Sequence, residues 1–131
     1  MKAFFALSIY AILFLSSCGG NDESAFAIKQ KIAAADRAIV NYANGKTVEL
    51  GSAKGQQLSI LKDAFQDENA NDPECIEDGS IVFFRGEIMI ENAGFSLKPD
   101  CRYIRFLHKN EPRRKVISEN VLKLLQEMQV E

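Results

Sequence analysis

The sequence predicts an α+β fold: an antiparallel β-sheet of about five to six strands in hairpins, with two helices packed on one face. Three observations predict it. Short β-rich runs are joined by the turn dipeptides Asn44-Gly45 and Arg85-Gly86, whose glycines accept the positive φ that tight hairpins need. Two other stretches, Ser52 to Phe65 and the segment after Ser118, repeat their apolar residues at helical spacing instead. No strand-helix-strand alternation, the pattern that builds a parallel sheet, is present.

The elements follow in order. Between Ser24 and Ala35, Phe26, Ile28 and Ile32 alternate with Lys29, Lys31 and several alanines, which reads as a short helix or as part of a tether. Arg37 to Tyr42 and Thr47 to Leu50 flank Asn44-Gly45 and form the first hairpin. Leu58, Leu61, Ala64 and Phe65 then line one face of an amphipathic helix. Asp67 to Gly79 is acidic, contains Pro73 and reads as a loop. Ser80 to Phe84 and Glu87 to Glu91 make a second hairpin around Arg85-Gly86; Gly94 to Leu97 and Cys101 to His108 make a third around Lys98-Pro99-Asp100. Asn110 to Lys115, with Pro112, reads as a charged loop. Ser118 caps a last helix striped with Val121, Leu122, Leu124, Leu125 and Met128, and Ile117 is placed to staple onto Leu122.

The start of the chain has a different character. After Lys2, residues Ala3 to Leu15 carry no charge. As a helix at 1.5 Å per residue they span roughly 20 Å, short of the ~30 Å hydrocarbon core of a bilayer, so the segment reads as an export signal rather than a spanning anchor. It ends in Leu15-Ser16-Ser17-Cys18-Gly19-Gly20, which resembles the lipobox of bacterial type II signal peptides: a Leu three residues before a Cys, with small residues between. The resemblance covers about twenty residues. It implies cleavage after Ser17, diacylglycerol on the Cys18 sulfur, a further acyl chain on the freed amine, and a membrane as the chain's first partner. Gly19 in place of Asp after the Cys implies the outer membrane, with the domain facing the periplasm or the cell exterior. Two or three acyl chains, at ~0.8 kcal/mol per buried methylene, anchor effectively permanently where one would be marginal. The expected organisation is therefore signal peptide 1–17, lipidated tether 18–24 and a single domain 25–131.

Without residues 1–17, 114 of the 131 residues remain, enough for one core and too few for two. Lys2 is the one charge lost, so 15 basic side chains face 18 acidic ones, a net charge of −3. That balance exerts no general pull on nucleic acid. Cys75 and Cys101, in an oxidising compartment, read as one disulfide. A redox pair would ask for closer spacing, and a zinc site for more ligands than one histidine supplies.

No catalytic motif stands out: there is no serine elbow, phosphate-cradling glycine loop or paired-histidine metal helix. His108 is the single histidine and reads as a rim residue of its strand. Asp63, Asp67, Glu68, Asp72, Glu74, Glu77 and Asp78 crowd seven carboxylates into sixteen residues. Within them Asp67, Asn69, Asn71 and Asp78 echo the spacing of a calcium loop, although Asp72 stands where the sharp turn needs Gly. Lys98 to Lys115 is basic, and strand alternation puts Arg102 and Arg105 on opposite faces. The basic segment is expected to answer the acidic one, which a Cys75–Cys101 bond would hold close; the alternative is that Arg113, Arg114 and Lys115 touch lipid headgroups or an acidic partner. The expectation is a non-enzymatic, cofactor-free binding or accessory domain at a membrane, with an envelope protein as partner. The alternatives are an envelope enzyme or enzyme-inhibitory factor using acidic residues and His108, and a structural spacer.

Overall fold

A computed structural model describes residues 23–70 and 75–131; the apolar segment read as an export signal, Cys18 and Asn71 lie outside the described residues. Asn44-Gly45 turns the chain as its chemistry requires. Gly45 takes φ +96° and donates its amide to the Tyr42 carbonyl at 2.9 Å, closing β1 (Arg37–Tyr42) onto β2 (Thr47–Leu50). β3 (Gly79–Arg85), β4 (Ile88–Lys98), β5 (Cys101–His108) and β6 (Glu111–Val116) follow as a meander. All pairs are antiparallel, in the order β2-β1-β3-β4-β5-β6. The fold is thus α+β, with an open six-stranded sheet.

Two expected boundaries move. Glu87 to Glu91 and Gly94 to Leu97 are one long strand, β4, with no turn between them. A bulge beside Ile90 puts Phe83 opposite Glu91 but Phe84 opposite Met89, bending the strand without ending it. The charged segment Asn110 to Lys115 is no loop, because most of it is β6. It is an edge strand, where Lys and Pro belong. The Arg114 carbonyl and the Val116 amide bond outward, to Ala70 and Glu68. Pro112 shares their parity, so its missing N–H is an outward one and the ladder to β5 loses nothing. Lys109 and Asn110 take φ 54° and 67°, the double positive φ of the two-residue turn that matches sheet twist.

Three helices cover one face. α1 (Glu23–Ala33) takes up residues read as helix or tether. The segment expected as one helix from Ser52 to Phe65 divides into a 3₁₀ turn, Ser52–Lys54, and a shorter α2, Gly55–Lys62. The amides of Asp63 and Ala64 turn to the carbonyls of Ile60 and Leu61 at 3.0 Å, tightening the end into three-residue turns. Phe65 is thereby swung into the core, fully buried, edge-on to Phe106 at 5.4 Å and tilted against Phe83 at 6.0 Å. α3 (Glu119–Val130) is capped as expected, the Ser118 hydroxyl accepting the Val121 amide, and its stripe Val121, Leu122, Leu124, Leu125 and Met128 is buried.

Strand alternation then divides the sheet. Ala38, Val40, Ile81, Phe83, Phe95, Ile104 and Phe106 point to the helices and form the core with Leu58, Leu61 and the α3 stripe. The buried Tyr42 hydroxyl donates to the Leu125 carbonyl at 2.6 Å, tying β1 to α3; burial pushes this phenol well above its ordinary pKa. Ile39, Val82, Phe84, Gly94, Tyr103 and Arg105 point the other way, where no helix lies. Pairing puts the β1–β2 and β4–β5 turns at one end of the sheet, the disulfide end, and the β3–β4 and β5–β6 turns at the other. α1 and the residues that lead from it into β1 are strung along that second end: Glu23 reaches Lys109 at 3.3 Å, Lys31 reaches Glu91 at 3.0 Å, and after the helix the Asp36 carboxylate accepts the Gly86 amide at 3.1 Å.

Candidate functional site

On the helix-free face the two halves of the molecule behave differently, and Cys75–Cys101 is the reason. The disulfide is formed and fastens the incoming segment Cys75–Asp78 to the first residue of β5. Asp78 is held from both sides: its Oδ2 accepts the Leu97 amide at 2.6 Å and its Oδ1 accepts from Lys98 Nζ at 2.9 Å. Glu77 is thereby laid across the sheet.

The register decides what Glu77 meets. Gly94 stands opposite Arg105 and Arg105 opposite Arg114, while Tyr103 stands between Ser96 and Val116. Arg105 grips the Glu77 carboxylate with two bonds, Nε to Oε2 at 2.6 Å and Nη2 to Oε1 at 2.8 Å. The Tyr103 hydroxyl lies 3.2 Å from the same Oε2 and 3.3 Å from the Cys75 carbonyl. The Arg114 guanidinium sits 5.3 Å from the centre of the Tyr103 ring. Gly94 is what lets the pair lie flat: a Cβ there would fall 2.5 Å from Arg105 Nη2 and 2.8 Å from Glu77 Cδ, and run into Oε1.

The electrostatics follow from the geometry. The Arg105 hydrogen bonds hold the Glu77 carboxyl below the ordinary glutamate value, against the pull of burial. Glu77 in turn raises Arg105, and burial raises the Tyr103 phenol. A carboxylate held ionised by a bidentate arginine is a poor proton donor near neutral pH; the cluster locks the strap down. Beneath it the Ser96 hydroxyl is fully buried and has no hydrogen-bond partner among the described residues.

Away from the strap the face is open. Ile39, Val82 and Phe84 are half-buried in adjacent strands, Arg37 covers the Phe84 ring at 4.3 Å, and Asn41, Glu49 and Asn92 supply polar atoms around them. On the helix side a shallow cleft of about 310 Å³ is lined by Lys29, Ile60, Asp63, Gln66, Ser118 and Asn120. A smaller groove of about 200 Å³ runs beside Cys101 and Tyr103.

The residues singled out from sequence are dispersed. Asp67 pairs with Lys29 at 3.6 Å, Asn69 accepts from Lys115 Nζ and Asp78 serves Leu97 and Lys98; Asn71 lies outside the described residues. No three His, Cys, Asp or Glu side chains converge among the described residues. His108 is half-buried on the helix side, opposite Glu111 in the register, and its Nε2 is buried without a partner among the described residues. Lys115, which the alternative reading placed against lipid or an acidic partner beside Arg113 and Arg114, is fully buried, because it shares the helix-facing side of its strand with Ile104 as cross-strand neighbour. The basic and acidic segments do answer each other, through Glu77–Arg105 and Asp78–Lys98. Charge counting found Glu77 and Arg105 only as members of runs. Gly94 inside a strand was the overlooked signal, since glycine there marks a close approach.

No described helix is long and apolar enough to cross a membrane. Compared with protein-family models, with curated proteins and with solved structures, the chain matches none.

Proposed function

We propose that this protein is a membrane-anchored bacterial lipoprotein whose domain is a non-enzymatic binding or accessory module outside the cytosol, docking an envelope protein on its helix-free sheet face. One observation carries the binding role: helices cover only one side of the sheet, and Ile39 of β1 with Val82 and Phe84 of the adjoining β3 stay half-exposed on the other. Antiparallel sheets tolerate one solvated face, but a soluble domain gains by making that face polar. Here its centre is apolar and its border carries Arg37, Glu49, Asn41 and Asn92, the layout of a small interface with a polar rim. A flat face of this kind suits a folded partner better than a small molecule, which needs a concave site. The address rests on the Leu15-Ser16-Ser17-Cys18 motif, and the Cys75–Cys101 bond accords with an oxidising compartment.

Two experiments test this. Mass spectrometry of the mature N-terminus should find acylated Cys18; an unmodified, uncleaved chain refutes the anchor. Crosslinking in the native envelope should yield a partner that is lost with Val82→Lys and kept with Gln57→Lys on the opposite side. Equal recovery from both variants refutes the sheet face as the docking surface.

A further inference from the structure

Six large apolar side chains are exposed among the described residues: Phe26, Ile76, Ile88, Met89, Leu107 and Val130. Their distribution is uneven. Ile76 lies beside the disulfide, and Val130 precedes Glu131, whose carbonyl accepts from Lys46 in the β1–β2 turn. The other four belong to the opposite end of the sheet: Ile88 and Met89 open β4 after the β3–β4 turn, Leu107 closes β5 before the β5–β6 turn, and Phe26 is on α1, which is strung along that end. They are 73, 57, 53 and 64% exposed, respectively.

This is also the end where the described chain begins. Glu23 is tied to Lys109 of the β5–β6 turn, and Cys18 stands only five positions earlier. Five extended residues reach roughly 17 Å. The eight residues of β5 put the disulfide end roughly 26 Å beyond. A lipid on Cys18 therefore keeps the Phe26–Leu107 end within reach of the bilayer surface while the disulfide end stands away from it.

We propose that this end is a second membrane contact: Phe26, Ile88, Met89 and Leu107 enter the interfacial layer of the phospholipid bilayer that holds the anchor, setting the domain upright with its helix-free face turned sideways to a partner. The proposal rests on the lipoprotein reading. Apolar burial is its driving force rather than net charge: Glu23 is paired with Lys109, the Asp36 carboxylate accepts the Gly86 amide, and Arg85 and Glu87 on either side of Gly86 are of opposite sign. Arg85 and Lys109 flank the apolar group, and long cationic side chains of this kind settle at headgroup level with their stems on apolar surface.

The chain contains no tryptophan, so one introduced indole is an unambiguous reporter. The full lipoprotein, purified from membranes in detergent, is reconstituted into phosphatidylcholine vesicles with and without brominated acyl chains, carrying Phe26→Trp, Met89→Trp or Leu107→Trp. Ile76→Trp, exposed to 83% at the far end, serves as the control. Bromolipid should cause a marked loss of emission, with a blue shift, at the first three positions and no loss at Ile76→Trp. Quenching at neither end, in protein that is acylated and floats with the vesicles, overturns the contact and leaves the anchor standing. Equal quenching at both ends overturns the orientation. Protein that is neither acylated nor vesicle-bound removes the anchor reading and this inference together.

Discussion

Replacing Gly94 with alanine places one methyl group under the Glu77–Arg105 pair, and the cost should depend on whether that pair is present. The atoms in the way are the tips of two side chains, which can swing out if they give up their bonds to each other. A charge-assisted pair of this kind contributes about 1.5–3 kcal/mol. Both side chains are a quarter to a third exposed, 25% for Glu77 and 32% for Arg105, so screening reduces the figure to about 1.5–2 kcal/mol. Alanine also restricts the unfolded chain, which offsets about 0.5 kcal/mol. Gly94→Ala alone should therefore destabilise by about 1–1.5 kcal/mol. With Glu77→Ala already in place, the same methyl should be neutral or stabilising by about 0.5 kcal/mol. Gly79 supplies the contrast. A Cβ there would strike the Asn41 backbone carbonyl and come within 2.7 Å of Phe95 Cζ, neither of which can step aside. Gly79→Ala should cost about 2 kcal/mol or more, as overpacking does, in either background. Urea unfolding of the disulfide-intact protein, followed by far-ultraviolet circular dichroism at constant m-value, measures all four differences. Equal penalties for Gly94→Ala with and without Glu77 would refute the claim that the strap pair is what this glycine accommodates.

The remaining predictions concern stability. Because Arg105 depresses the Glu77 pKa below its ordinary value of 4.5, the pair's contribution is full above that value and lost as pH falls through the lower folded value; Glu77→Gln should flatten the acid limb of a stability-versus-pH curve below pH 4.5, and an unchanged limb would count against the pair. Cys75→Ser/Cys101→Ser opens a closure of sequence separation 26 and should lower stability by about 3.5 kcal/mol on the chain-entropy account, read as a shift in urea midpoint. Phe65→Ala empties a fully buried site between Phe83 and Phe106 and should cost about 3–5 kcal/mol; a loss under 1 kcal/mol in calorimetry would show that Phe65 is not a core residue. Tyr42→Phe removes the buried bond to the Leu125 carbonyl and should cost about 1 kcal/mol without altering the circular dichroism spectrum.

How much was legible beforehand varies with the range of the interactions. The first hairpin and the final helix were readable to within a residue or two, because Asn44-Gly45 and Ser118 act on backbone groups two or three positions away. Splitting β4 in two was an error of range. Nothing local distinguishes a strand that bends at Ile90 from two strands, and only continuous pairing with β3 does. β6 was missed for a related reason. Glu111-Pro112-Arg113-Arg114-Lys115 has almost no apolar content, and it is a strand because β5 and residues 68–70 satisfy its backbone. Counting charges likewise expected the acidic and basic segments to meet, yet could not single out Glu77 and Arg105, whose encounter depends on Gly94 lying opposite Arg105.

The amino-acid sequence by itself determined the α+β class, the turns at Asn44-Gly45, Arg85-Gly86 and Lys98-Pro99-Asp100, the cap on the last helix and the pairing expected of Cys75 with Cys101, and it carries the resemblance to a lipobox at Cys18. Each depends on residues near in the chain or on the chemistry of a residue type. Tertiary structure alone decided that β1 is inserted between β2 and β3, that Lys115 turns inward while Arg114 lies over Tyr103, and that Glu77 is laid across Gly94. It also decided that Phe26, Ile88, Met89 and Leu107 share one end of the sheet. Those outcomes join positions dozens of residues apart, and register across a sheet is a property of the pairing and not of any one strand.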